Sequence, residues 1–235
     1  MTMVRDILEQ GLKALGLDPA PAPQLERYGA LLVEKNRVMN LTAITDPVEV
    51  AQKHMLDCAA LLGAADFTGK KVIDVGTGAG FPGLVLKLCQ PNLELTLLDS
   101  LQKRVNWLTE VSSQLGVEVT ALQGRAEELG KTPEKRETFD IATARAVADL
   151  RVLCELCLPF VKVGGVFLAM KAQDCQAEVD ASGRCISLLG GKLLPAYTYQ
   201  VPGTDLVRRV IRVEKIAPTP EKYPRRFAKI QKSPL

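Results

Sequence analysis

Apolar residues recur at helical spacing from the start of the chain. Val4, Ile7, Leu8, Leu12 and Leu15 fall on one face of a helix predicted over residues 3–16. The run Leu17-Asp-Pro-Ala-Pro-Ala-Pro23 breaks that helix, and a second is predicted over 23–39. Asp46-Pro-Val-Glu49 has the form of a capping box with proline at the first helical position, so a third helix is predicted to run to about Leu62.

From Lys70 the spacing changes. Short apolar runs at Lys71–Val75, Leu93–Leu98, Val117–Leu122, Phe139–Thr143 and Gly165–Met170 read as strands. Helical patterns separate or follow them at Pro82–Cys89, Leu101–Leu115, Asp149–Phe160 and Asp174–Leu189. This alternation forces a parallel sheet, because each strand must return through a crossover. Two further strands, near Leu193–Gln200 and Leu206–Glu214, have no helix between them and are joined by Val201-Pro-Gly-Thr-Asp205, which predicts an antiparallel hairpin at one edge. The expected fold is α/β: a doubly wound, mostly parallel seven-stranded sheet with a terminal antiparallel hairpin, preceded by N-terminal helices. The division that follows is a helical extension (1–62) packed on the core, a sheet domain (63–216) and a tail (217–235).

The length of 235 residues suits one such unit with an extension, and a hydrophobic share of 47% with 24% charged residues excludes wholesale disorder. No apolar run reaches the roughly 18 residues of a membrane span. The opening Met-Thr-Met-Val-Arg-Asp6 lacks the pattern of a signal peptide, so a cytoplasmic protein, acting as a monomer, is expected. Six cysteines are expected to be free thiols. Cys154 and Cys157 have metal-pair spacing, but that step also places both on one helix face, and no second close pair follows; no metal site is predicted. The single histidine, His54, is expected to pack or cap, since it lies in a predicted helix near Val50 and Cys58.

The net charge of +3 conceals a division. From Asp205 onward nine cations face three acids, a net +6, which leaves −3 for residues 1–204. A local basic segment is what a polyanion binder needs, and Arg208, Arg209, Arg212, Arg225 and Arg226 are candidate phosphate contacts.

The densest signal is Val72-Ile-Asp-Val-Gly-Thr-Gly-Ala-Gly-Phe-Pro-Gly83. From Gly78 it matches a dinucleotide fingerprint, with Asp99 where a ribose-binding acid belongs. The strand ends at Val75, however, so the turn begins at Gly76, and Asp74 would set a carboxylate beside a pyrophosphate. S-adenosylmethionine, which carries an ammonium and a sulfonium and no phosphate, removes that conflict. Asp74 becomes an attractive partner, Gly76, Gly78 and Gly80 admit the methionine portion, and Asp99 suits the ribose diol. Ala126 and Glu127 can read the adenine edge from the loop after the third strand. Arg145, after the fourth, can bind the cofactor carboxylate or a substrate phosphate. That fourth loop has neither the N-P-P-[FY] arrangement of amine methylation nor a cysteine nucleophile. A nucleophile that needs no activation remains, such as N7 of guanine, with no general base required. An NAD-dependent oxidoreductase and a non-catalytic RNA-binding factor are the alternatives.

Taken with Asn40-Leu-Thr-Ala-Ile44, Lys53-His-Met-Leu-Asp57, Leu98-Asp-Ser100, Arg125-Ala-Glu127, Thr143-Ala-Arg-Ala-Val147 and Lys222-Tyr-Pro-Arg225, the glycine segment resembles the bacterial ribosomal RNA small-subunit methyltransferase G family, also called glucose-inhibited division protein B. The resemblance implies a Rossmann-like class I methyltransferase that methylates N7 of one guanine in 16S rRNA near the decoding region, in free rRNA or the small subunit. It also implies cofactor contacts at Gly76, Phe81, Ala126, Glu127 and Arg145. The chain departs from the family at Cys58, usually Ser, and in Arg225–Leu235, which replaces a Pro-Gly-Thr-Pro element.

Overall fold

The first strand, β1 (Lys71–Val75), lies where the sequence predicts it and is buried from Val72 onward, as a central parallel strand covered on both faces must be. The computed structural model of the protein describes residues 3–145 and 148–235; Ala146 and Val147 of the Thr143–Val147 segment lie outside the described residues. Around β1 stand β2 (Glu94–Asp99), β3 (Thr120–Gln123), β4 (Phe139–Ala144), β5 (Val161–Ala172), β6 (Gly191–Gln200) and β7 (Val207–Lys215). Their order is β3-β2-β1-β4-β5-β7-β6. All pairings through β5 are parallel, and β7 pairs antiparallel with both β5 and β6. The predicted hairpin is therefore present, with β7 inside and β6 on the edge.

Alternation along β1 sends Val72 to one face and Ile73 and Val75 to the other. On the Val72 face lie α1 (Met3–Ala14), α2 (Ala22–Met39), α5 (Gly83–Cys89) and α6 (Gln102–Leu115), so the N-terminal helices share one core with the sheet. On the opposite face lie α8 (Leu150–Cys157) and α9 (Gln176–Leu188), with Tyr223 of the tail buried against them. A short α7 (Ala126–Leu129) follows β3, and α10 (Phe227–Lys232) lies near the end of the chain.

Several boundaries differ from the sequence expectation for identifiable reasons. The helix after Leu150 turns 3₁₀ over Leu158–Phe160, because Pro159 has no N–H for the α ladder. The third strand starts at Thr120 because Gly116, at φ 68°, closes α6 and Val117 N–H still bonds Ser112 O at 3.0 Å. The third N-terminal helix is not continuous. Asp46 caps α3 (Pro47–Val50) by accepting from Val48 and Glu49 N–H, then the chain widens to a π turn over Ala51–Leu56, returns to α4 (Asp57–Ala59) and ends in a 3₁₀ turn. Glu49 does not complete the capping box; its carboxylate pairs with Lys53. A π turn of this kind commonly marks a functional position, and this one carries Lys53 and His54.

The basic segment from Asp205 onward is not a free polycation: four of its nine cations lie in β7, and the rest follow in the tail. Lys215 is fully buried, 2.9 Å from Glu137 and bonded to Leu158 O and Thr219 Oγ1. Arg225, expected to meet phosphate, instead grips the fully buried Glu155 through Nε (2.8 Å), Nη2 (2.6 Å) and its backbone N–H (2.8 Å). A buried carboxylate needs such a partner, so this arginine serves the fold. The six cysteines are free thiols, five of them buried.

Candidate active site

The site begins where β1 ends. The chain turns at Gly76 (φ 72°), and Gly76 and Thr77 N–H both bond Leu98 O at 2.8 and 3.1 Å. Asp74 holds this turn from beneath. Its Oδ2 accepts from Thr77 Oγ1 at 2.6 Å and Gly83 N–H at 2.9 Å, and its Oδ1 accepts from Thr143 Oγ1 at 3.1 Å. Asp74 has no solvent exposure. The expectation that it faces the cofactor is corrected: it shares the Val72 face of the strand and ties β1, the loop, α5 and β4 together. Gly80 likewise stands back from the cleft, at a close approach where a Cβ would fall 2.6 Å from Leu84 Cδ1 and Tyr28 Oη.

Two contacts from outside the glycine segment fix the loop. Tyr28 Oη and Trp107 Nε1 both donate to Ala79 O, at 2.9 and 3.0 Å. Gly78 N–H donates to Asp99 Oδ2 at 3.1 Å, while Leu101 N–H reaches Asp99 Oδ1 at 2.9 Å. Asp99 is thereby oriented at the end of β2, next to the turn.

Three neighbouring spaces open along the carboxyl ends of the strands, where a doubly wound sheet gathers its ligands. The first, about 490 Å³, is bordered by Gly76, Asp99, Ala126, Glu127 and the apolar side of α8. It shares Gly76 with a second, about 160 Å³, bordered by Thr42, His54, Gly78, Phe81 and Arg145. This shares His54 and Arg145 with a third, about 420 Å³, bordered by Lys53, Asp57, Met170, Lys171 and Arg208. Gly76, Gly78, Phe81, Asp99, Ala126, Glu127 and Arg145 are thus brought to one cleft. A larger, mostly apolar hollow of about 540 Å³ between α1, α2 and Pro47–Met55 contains none of these residues.

Sequence reasoning missed what surrounds Arg145. The guanidinium lies 4.8 Å from the Phe81 ring centroid, donates to Lys53 O (3.3 Å), and stands 3.5 Å from Asp57 Oδ2. His54 Nδ1 lies 3.0 Å from Arg145 Nη2 and 3.1 Å from Lys53 O, and its Nε2 is bonded to Thr42 Oγ1 at 2.8 Å. Thr42 is held by Asn36, whose Oδ1 accepts from Leu41 and Thr42 N–H. Asp57 also accepts from Tyr199 Oη at 2.8 Å and faces Arg208 at 3.6 Å. Burial raises the Asp57 carboxyl, opposed by Tyr199 and the two arginines.

Burial and then the neighbouring Arg145 push the His54 imidazole down to about 4, so it is neutral at pH 7. Burial pushes Asp74 up to about 6, against the three bonds it accepts. These shifts act on stability with opposite signs. Between about pH 4 and 6 the folded protein holds a proton on Asp74 that the unfolded chain has lost, so this contribution is full at low pH and disappears as pH rises through about 6. Between about pH 4 and 6.5 the unfolded chain holds a proton on His54 that the folded protein lacks, so that contribution is present at neutral pH and disappears on acidification. Each is worth up to about 3 kcal/mol, and they largely cancel. Denaturant titrations of Asp74→Asn should therefore show stability rising with pH over this window more steeply than in the parent, and those of His54→Gln should show the reverse. Parallel profiles for all three proteins would contradict both assignments.

The glycine turn after β1, the acid ending β2, the cleft across the strand ends and the inserted antiparallel β7 define a Rossmann-like class I methyltransferase, the class that uses S-adenosylmethionine. The same fold is seen in the crystal structure of M. jannaschii TYW2 in complex with AdoMet, at a TM-score of 0.54 and 14% identity over 70% of this chain and 77% of that one. Within the class, the chain belongs to the rRNA small subunit methyltransferase G family, whose model matches residues 22–201. It is 46% identical to the ribosomal RNA small subunit methyltransferase G of Alkaliphilus metalliredigens (strain QYMF), over 97% of this chain and 98% of the relative. It is 45% identical to that of Lachnoclostridium phytofermentans, over 96% and 95%.

The residues present fit the cofactor. A Cβ on Gly76 would project into open space in the cleft, so the glycine leaves room for a ligand against the backbone. The carboxylates that border the cleft are each paired with an arginine, Asp99 with Arg104 (3.3 Å), Glu127 with Arg125 (2.7 Å) and Asp149 with Arg151 (3.0 Å), and keep further lone pairs for the hydroxyl and amino groups of a ligand. With Asp74 turned away, the choice of S-adenosylmethionine over a dinucleotide rests on the family to which the chain belongs.

Proposed function

We propose that the protein transfers the methyl group of S-adenosylmethionine to N7 of a guanine in 16S rRNA near the decoding region, as free RNA or within the small subunit. The observation that carries this reading is the third space beside the methionine end, which shares His54 and Arg145 with the second and is bordered by Lys53, Arg145, Lys171 and Arg208, four cations against the one acid Asp57. In this reading Gly76, Asp99, Ala126 and Glu127 hold the adenosine portion, and Gly78, Phe81 and Arg145 the methionine portion. The guanine enters from the side of Lys53 and Arg208. The cofactor, when bound, supplies an electrophilic methyl on a sulfonium. N7 offers a lone pair and has no proton to lose, so what the protein must do is place it in line. The side chains here suit positioning and not proton transfer. His54 is neutral and bonded at both ring nitrogens, and Asp57 is held by Tyr199 and Arg145, so neither is free to shuttle a proton.

Arg208, Arg209 and Arg212 of β7 and Arg226 of the tail stand as the proposed phosphate contacts, while Arg225 is withdrawn to Glu155. Contacts of this kind make binding fall steeply as salt rises. The test is transfer of labelled methyl to small subunits from cells lacking the modification, with the site mapped by cleavage at N7-methylguanine. A single modified guanine is expected. Absence of transfer to both subunits and free 16S rRNA would overturn the proposal.

A further inference from the structure

After β7 the chain turns back and is fixed at several points. Arg136 donates to the carbonyls of Gly130, Thr219 and Tyr223, and Thr219 N–H bonds Glu137 at 2.6 Å. The Arg225–Glu155 pair then sets the start of α10, whose Ile230 is fully buried. Burial of Ile230 fixes the rotation of this short helix. Phe227 and Gln231, four residues apart and hence on one face, border the 490 Å³ space together with Gly76, Asp99 and Ala126.

Phe227 is half-buried, not packed away. The Arg125 guanidinium lies 5.4 Å from its ring centroid, and Arg125 Nε donates to Glu127 Oε1 at 2.7 Å. The ring is thereby coupled to the acid assigned to the adenine edge. The remaining wall on this side is Val152, Leu153 and Leu156 of α8, an apolar surface that borders the same space as the Phe227 ring. Such a surface suits a flat heterocycle, because every base has a π-face to stack.

We propose that α10 is part of the cofactor site and that Phe227 is a cofactor-binding residue, forming the wall against which the adenine ring packs. This rests on the S-adenosylmethionine reading above. It gives the divergent end of the chain a role in binding the cofactor in addition to RNA.

The test is calorimetric titration with S-adenosylhomocysteine of the parent protein, Phe227→Ala, Phe227→Trp and a chain ended after Arg226, which keeps the Arg225–Glu155 pair. Phe227→Ala and the shortened chain are expected to bind about tenfold more weakly, the scale of one lost stack. Phe227→Trp should return to within about twofold of the parent, as a larger ring preserves stacking. If the shortened chain does not fold, the two single substitutions decide the matter. Equal affinity of Phe227→Ala and the parent overturns the role of α10 and leaves the function standing. A parent protein that binds no S-adenosylhomocysteine overturns the cofactor reading itself.

Discussion

Replacing Arg145 by alanine is expected to lower single-turnover methyl transfer to the small subunit by at least about 100-fold, the cost of misplacing reacting groups by about 1 Å. The guanidinium bridges two spaces: it packs on Phe81 at the methionine end and faces Asp57 at the entrance assigned to the guanine. It also lies 3.0 Å from His54 Nδ1, on the ring whose Nε2 is bonded to Thr42. Its loss leaves Asp57, only 4% exposed, with Tyr199 and a longer contact to Arg208. An effect on stability is therefore expected as well, and thermal unfolding of the variant separates it from the effect on rate. Arg145→Lys keeps the charge but cannot span Lys53 O, His54 and Asp57 with one ammonium while lying flat on a ring, so it should recover less than tenfold. If Arg145→Ala transferred methyl within threefold of the parent, the arrangement described around it would have no bearing on the reaction.

The difference between what can be read from the sequence and what cannot follows from distance along the chain. Period-2 and period-3.6 patterns are local, so β1 and the helices around it fall within a residue or two of their predicted places, and the glycine turn is visible as a motif. The side to which Asp74 points is also accessible: it follows Val72 by two and must share that face, under α5. Motif spacing alone assigns it to the ligand. The network that orders the cleft is not accessible. Tyr28 reaches Ala79 across 51 positions, Arg145 reaches His54 across 91 and Tyr199 reaches Asp57 across 142. Charge counting fails in the tail for the same reason, since the partners that neutralise Arg225 and Lys215, Glu155 and Glu137, lie in segments that read as ordinary helix and loop.

Substituting Gly76 by valine is expected to abolish cofactor binding, weakening S-adenosylhomocysteine by 100-fold or more. Two costs combine there, and a control separates them. At φ 72° a β-branched residue is strained by roughly 1–2 kcal/mol. In addition its side chain would enter the space between the adenosine and methionine ends, where nothing now stands within 4 Å of the Cβ position. Gly16 has the same φ of 72°, is exposed and also has no atom within 4 Å, but it lies in the turn after α1. Gly16→Val therefore carries the backbone cost without the obstruction. Both variants should lose similar stability in denaturant titrations, and only Gly76→Val should lose the ligand. A Gly76→Val protein that is folded and binds S-adenosylhomocysteine within a few-fold of the parent would place the cofactor elsewhere, because no ligand lying across that turn can share the space with an added isopropyl group.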